Sequence, residues 1–190
     1  MLIGFGATMS FGSVTGAAGG FFHMTTHAMM KGLAFFSAGT LLYVLHLANG
    51  DHSPLTLDDL NGVSKRYPII ALAFSIAVLA LGGLPPLAGF MSKWQIFVAG
   101  FGTGNGWVQA LVIFAAFNSV ISLGYYAPLV NRMYRKEPSA IVEQGKPVTF
   151  SLAFPIIVLT ILVIVIGFYP AIMSWLTQPA GISLLTIFGA

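Results

Sequence analysis

Cysteine is absent from this chain of 190 residues, and charged residues are scarce. Without thiolates the chain has no cysteine ligands for an iron–sulfur cluster, no thiolate metal site and no disulfide. Only 7% of the residues are charged and 57% are hydrophobic, with a mean hydropathy of +0.89. A soluble domain carries roughly 25% charged residues. These values exclude a soluble domain and predict an integral membrane protein, while the net charge of +3 gives no indication of a nucleic-acid partner.

Carboxylates are missing from the apolar segments. All five acidic residues fall in predicted loops, at Asp51, Asp58, Asp59, Glu137 and Glu143. Two lysines, Lys31 and Lys93, nevertheless lie within long apolar runs. We therefore expect the ion-pair partners of both lysines to be absent or to lie on another polypeptide.

The apolar runs predict an all-α, polytopic transmembrane helix bundle of about five segments, forming a single membrane domain over 1–190. A hydrocarbon core of ~30 Å takes about 20 helical residues per crossing. No positively charged leader precedes the first run, so we expect the chain to begin inside a helix. A Gly-rich linker is expected near Gly19, and the tail 177–190 is expected along the membrane surface. The predicted segments are a truncated helix over 1–14, a His/Lys helix over 21–47, a broken helix over 67–103, and helices over 107–131 and 149–176.

Lys93 is the one formally charged residue between Pro68 and Asn131. A charge at membrane depth costs at least ~2.5–3.5 kcal/mol, so it indicates function. Pro85, Pro86 and Gly89 precede it and predict a helix break, the kind of site at which transporters bind ions. A continuous helix over 67–103 would be about 55 Å long, too long for one straight span, and two spans would place the basic loops on opposite sides. We therefore predict one crossing by a broken helix; the alternative is a proline kink that only assists packing.

A polar stripe follows one face of the helix 21–47. His23, His27 and Lys31 are spaced i, i+4 and i+8, and such groups, bridged by water, can pass protons along a path. Lys31 extending to an interface is one alternative. Metal ligation is disfavoured because no carboxylate or cysteine lies at membrane depth, and bis-histidine haem is disfavoured because these histidines share one helix.

Three blocks of sequence resemble a known family. They are HMTTHAMMKGLAFFSAG (23–39), LDDLNGVSKRYPIIALAF (57–74) and LALGGLPPLAGFMSKWQIF (79–97). In this order they resemble the antiporter-like proton-translocating membrane subunits of respiratory complex I, membrane-bound dehydrogenases and hydrogenases, and multisubunit Na⁺/H⁺ antiporters. The ending GYYAPLVNRMYRKEPS (124–139) is most similar to the N-type subunit. Family members have about fourteen helices in two inverted repeats, and we expect this chain to match the C-terminal repeat alone, as a fragment or truncated member.

The resemblance implies a role for each candidate residue. Lys93 corresponds to the lysine after the broken helix, in the proton-exit half of the channel, and Lys31, His27 and His23 to the central hydrophilic axis. Pro85, Pro86 and Gly89 correspond to the helix break.

The resemblance also implies the setting of the chain. It implies a multi-pass subunit of the cytoplasmic membrane that binds no redox cofactor or metal, and that is in contact with other membrane subunits and lipid. It would translocate protons or sodium ions, and meet quinone only through an NADH:quinone oxidoreductase-like complex. The alternatives are a multisubunit Na⁺/H⁺ antiporter subunit and a structural fragment without transport of its own.

Overall fold

The computed structural model describes residues 6, 11–49, 54–135 and 137–188. This part of the chain is helical and contains no strand, which confirms the predicted fold class. Among the described residues, three helices are long and apolar enough to cross a membrane: Val14–Leu47, Gly106–Tyr134 and Phe150–Phe168. The elements in chain order are α1 (Val14–Asn49), α2 (Val63–Arg66), α3 (Pro68–Gly82), α4 (Ala88–Gly102), α5 (Gly106–Arg135), α6 (Ala140–Gln144), α7 (Phe150–Phe168), a 3₁₀ turn (Pro170–Met173) and α8 (Ser174–Phe188).

The helix α1 forms the centre of the bundle, with Phe22, Met30 and Leu33 almost fully buried. It begins before the predicted 21–47, because the glycines expected to form a linker are helical. A Cβ atom on Gly19 would lie 3.2 Å from the Cβ of Gln95. Small residues at such contacts let membrane helices approach closely, so this glycine serves packing and the linker prediction is wrong.

Two helices of 15 residues, α3 and α4, make up the broken helix. Each is about 22 Å long, less than a bilayer core. Their contacts with α1 progress from one end of α1 to the other, so the pair runs antiparallel to α1 and traverses the bundle once. Leu45, near the end of α1, and Tyr67, just before α3, both lie against Gly145. Further back along α1, Met30 lies beside Gly89, His23 beside Ser92, and Gly19 beside Gln95 of α4.

The helix predicted over 149–176 ends at Phe168 in the structure. Tyr169 leaves the helical conformation, and Pro170 opens the 3₁₀ turn before α8. Proline has no N–H to continue the ladder of α7, which explains the early end. The tail expected along the membrane surface instead continues α8, where Gly181 packs on the backbone of Ala18. The predicted segment 1–14 lies largely outside the described residues.

The loops at 54–67 and 137–149 meet at one end of the bundle. Lys65 pairs with Glu137 at 2.5 Å, and Arg132 pairs with Asp58. The Tyr67 hydroxyl donates to the Lys146 carbonyl at 2.8 Å. Cations such as Lys65, Arg66 and Arg132 thus lie together at this end of the bundle.

The helix α5 lies at the edge of the bundle, where it exposes Trp107, Phe114 and Phe117. It starts and ends slightly outside the predicted 107–131. Such an apolar face is the expected surface of a helix that meets lipid or another membrane protein.

Candidate functional site

The break between α3 and α4 begins as a capped helix end. Gly83 takes the left-handed conformation with φ of 87°. Its N–H donates to the Ala80 carbonyl, and the Leu84 N–H donates to the Leu79 carbonyl, both at 3.0 Å. This pair of bonds is the Schellman motif, which needs glycine at the left-handed position. The helix therefore stops at Gly82.

The carbonyl of Leu81 is left without its helical donor. In a continued helix it would accept from the N–H of residue 85, but residue 85 is Pro85, which has none. The Lys93 amine donates to this carbonyl at 2.8 Å. The negative end of a helix also attracts a cation, so the C-terminus of α3 stabilises Lys93 in an apolar segment, 68–131, that contains no carboxylate.

Lys93 is 8% exposed and fits into space left by a glycine. A Cβ atom on Gly83 would lie 3.0 Å from the Lys93 amine nitrogen. We expected the ion-pair partner of this lysine to be absent or to lie on another polypeptide. In the structure the Lys93 amine has a main-chain partner, the Leu81 carbonyl. This carbonyl is available because Pro85 has no N–H to donate to it.

The two half-helices overlap at the break. A Cβ atom on Gly89 would lie 1.8 Å from the Ala80 carbonyl oxygen and 2.9 Å from the Met30 sulfur. Pro85 and Pro86 form the exposed link between the halves, and the Pro86 carbonyl faces Gly167 of α7. The three break residues are thus at the junction, and Gly89 makes the closest packing.

His23 is connected to α4 through a residue that sequence reasoning missed. Its Nδ1 lies 2.9 Å from the Ser92 hydroxyl oxygen, and that hydroxyl also lies 3.2 Å from the Gly89 carbonyl. If the hydroxyl donates to the carbonyl, it accepts from the Nδ1–H of His23; in the other tautomer the direction reverses. The signal for Ser92 was its place next to Lys93 in an apolar run.

His27 and Lys31 continue from His23 to the surface of α1. The rings of His23 and His27 have centroids 5.6 Å apart. His27 and Lys31 are exposed, and the Lys31 amine lies 5.8 Å from the Phe35 ring centre. We call Lys93, Ser92, His23, His27 and Lys31 the polar row.

Three other polar residues on α1 are buried outside the polar row: Thr26, Ser37 and Thr40. The Thr26 hydroxyl donates to carbonyls of its own helix, at Phe22 and His23. The Ser37 hydroxyl is buried without a hydrogen-bond partner among the described residues. Within the same part of the chain, no three His, Asp or Glu side chains come together as a metal site.

Replacing Gly83 with alanine should reduce both stability and function. The left-handed conformation costs roughly 1–2 kcal/mol with a side chain, and the new methyl group would displace the Lys93 amine. Gly104→Ala is the matched control, because Gly104 has φ of 66° with nothing within 4 Å of its Cβ position. Thermal unfolding should show a loss in both variants, larger for Gly83→Ala. Equal losses would mean that the amine does not occupy this space.

The chain matches a family described as NADH:quinone oxidoreductase/Mrp antiporter, TM, over residues 1–122. It is 36% identical over 159 residues to F(420)H(2) dehydrogenase subunit N of Methanosarcina mazei, covering 80% of this chain and 31% of that protein. It is 32% identical over 164 residues to NADH-quinone oxidoreductase subunit N 2 of Sorangium cellulosum, covering 84% of this chain and 30% of that protein. The chain thus spans about a third of the length of these relatives.

Solved structures share the fold. A chain of the Mrp complex from Dietzia superposes with a TM-score of 0.75 at 19% identity, covering 90% of this chain and 38% of that chain. Respiratory complex I from Thermus thermophilus contains a chain that superposes with a TM-score of 0.62 at 26% identity, covering 90% of this chain and 36% of that chain. Both matches come from membrane complexes of several subunits.

Proposed function

Because the chain belongs to the family of NADH:quinone oxidoreductase and Mrp antiporter membrane subunits, we propose that it translocates protons across a membrane. Translocation is coupled to electron transfer in partner subunits of an oxidoreductase complex. The chain spans about a third of its relatives, so the proposal concerns its share of the path.

One observation carries the proposal. Lys93 is buried at a helix break, with its amine on the Leu81 carbonyl, and the break lies next to His23. A buried cation at membrane depth is costly, and the residues that bear this cost in membrane proteins commonly mark a path for ions. Irregular backbone at this depth is tolerated where it is buried in protein or lines a hydrated cavity.

The polar row supports a route between the break and the outer face of α1. The Ser92 hydroxyl lies 2.9 Å from the His23 Nδ1, and because a hydroxyl can accept one hydrogen bond while it donates another, it can relay a proton to or from His23. The proximity of the His23 and His27 rings continues the row, and water completes it towards Lys31. In this mechanism Lys93 and Lys31 exchange protons as the charge of neighbouring groups changes their proton affinity.

Membership of the same family supports a proposal for the membrane and the partners. Cations at one end of the bundle, including Lys65, Arg66 and Arg132, support the assignment of this end to the inner side of a cytoplasmic membrane. The partners are other membrane subunits, lipid, and subunits that carry the redox cofactors and meet quinone or another carrier. This chain supplies groups that hold and pass protons.

A double-mutant cycle on His23 and Ser92 tests the route. Loss of one hydrogen bond of about 1 kcal/mol corresponds to roughly fivefold, so His23→Gln and Ser92→Ala should each slow proton translocation by about that factor. Because both changes break one contact, the double variant should be little slower than either single variant. The measurement is the acidification of sealed vesicles that contain the assembled complex.

The control is Thr26→Val, since Thr26 bonds only to its own helix. Its rate should match the unmodified complex. Additive losses in the double variant, or full rates in every variant, would contradict the route and favour a structural role without transport.

The second candidate is a subunit of a multisubunit Na⁺/H⁺ antiporter without redox partners. The matching family includes Mrp antiporters, which favours this candidate. Proton movement that requires sodium and continues without an electron donor would support it over the first.

A further inference from the structure

A cavity of about 430 Å³ lies at the end of the bundle where α3 and α7 begin. It is separate from the polar row and has no part in the proposed proton route. Its lining includes Arg66, Ile69, Ile70, Val148 and Ala153. The question is which molecule suits a cavity with one basic edge and apolar walls.

The position of the cavity places it at the boundary between membrane and water. Both neighbouring helices start there, at Pro68 and Phe150, and both continue into the apolar part of the bundle. Arg66 lies at the same end of the bundle as the cations Lys65 and Arg132. Ile69 is 53% exposed and lies one residue into α3, so the apolar wall begins where the charged rim ends.

Arg66 is held across the rim of the cavity. Its guanidinium donates to the Gly145 carbonyl at 2.8 Å, which orients the planar group. Of the described residues that line the cavity, Arg66 alone is charged. A guanidinium presents five donors in a fixed fork that suits phosphate oxygens, so the rim favours an anion.

Two further features agree with an anionic head group. The helices α3 and α7 both direct their N-terminal, positive ends to this level of the bundle. Apart from Tyr67, whose hydroxyl donates to the Lys146 carbonyl, the rest of the lining is apolar, which suits a hydrocarbon chain and does not suit a free ion.

We propose that this cavity binds an anionic phospholipid, with its phosphate at Arg66 and an acyl chain along Ile69 and Ala153. The charge of the rim matches the phosphate, and the apolar wall matches the chain. Basic pockets between membrane helices on the cytoplasmic side bind anionic head groups. The lipid would bridge α3 and α7 where the broken helix enters the membrane.

The test titrates the full chain in detergent with phosphatidylglycerol and counts bound lipid by native mass spectrometry. Arg66→Gln should weaken binding about fivefold, the effect of one basic residue near a membrane surface. Its control is Lys65→Gln, which removes the same charge at the same end but does not line this cavity. This control should bind nearly as well as the unmodified chain.

A second pair of variants leaves Arg66 in place. Ala153→Trp fills the apolar wall and should displace the lipid, while Ser151→Trp, on an exposed site of the same helix, should not. Thermal unfolding of each variant shows whether it is folded before the lipid is counted. Arg66→Gln removes the hydrogen bond to the Gly145 carbonyl. If that loss disturbs the loop, the comparison of Ala153→Trp with Ser151→Trp still tests the proposal.

Four results would overturn the proposal. Equal losses for Arg66→Gln and Lys65→Gln would show attraction to the basic end in general. Equal binding of phosphatidylcholine would remove the role of the anionic head group. Retained binding in Ala153→Trp would place the lipid elsewhere, and displacement by inorganic phosphate would identify a site for the free ion.

Discussion

Proton translocation should fall to background when Lys93 becomes methionine, although the chain should still fold. Methionine removes a buried cation, which relieves a cost of at least ~2.5–3.5 kcal/mol. It leaves the Leu81 carbonyl without its donor, which costs about 1–3 kcal/mol. The two effects nearly offset each other, so the variant separates function from stability.

Lys93→Arg sharpens this experiment. Arginine keeps the positive charge, but its guanidinium does not release a proton in proteins, so a relay through this position should fail. Lys65→Met is the control, because Lys65 lies in a loop and pairs with Glu137. The measurement is the number of protons moved per electron by the assembled complex in sealed vesicles. An unchanged ratio in Lys93→Met would exclude the proposed role of this lysine.

Gly89→Ala should have the largest effect on folding. Its added Cβ would lie 1.8 Å from the Ala80 carbonyl oxygen, so the backbones of α3 and α4 must move apart. Overpacking usually costs 1–3 kcal/mol, and a backbone neighbour cannot rotate away, so we expect about 3 kcal/mol or more. Little folded chain should reach the membrane.

Gly124→Ala provides the matched control. Gly124 also lies inside a membrane helix, but nothing lies within 4 Å of its Cβ position. Alanine there should stabilise the helix by roughly 0.5–1 kcal/mol. Thermal unfolding and the yield of folded chain measure both changes. If Gly89→Ala were as stable as Gly124→Ala, α3 and α4 would not pack as closely at the break as the structure shows.

The broken helix and the order of the helices could be predicted from the positions of particular residues in the sequence. Proline, glycine and one isolated charge are strong local signals, and they predicted the break from Pro85, Pro86 and Gly89. The ends of helices were harder to predict. Glycines near residue 19 serve as contacts in a helix, and the helix predicted over 149–176 extended past Pro170, which opens the turn there.

The candidate residues could be proposed from sequence, but several of their contacts could not. The partner of Lys93 is a main-chain carbonyl. Every residue has a carbonyl, so the identity of the residues does not show which one accepts the hydrogen bond. Ser92 became visible only when α4 was placed beside α1. The difference in burial between His23 and His27 depends on the crossing of two helices, which the spacing of four residues leaves open.

A main-chain partner for Lys93 has a consequence for how the site tolerates change. Every amino acid has a carbonyl, so many apolar residues at position 81 would hold the amine equally well. Selection would instead act on positions 83 and 85, where a glycine leaves room and a proline withholds a competing donor. The positions of this site that tolerate least change are therefore Gly83 and Pro85, neither of which carries a proton in the proposed route.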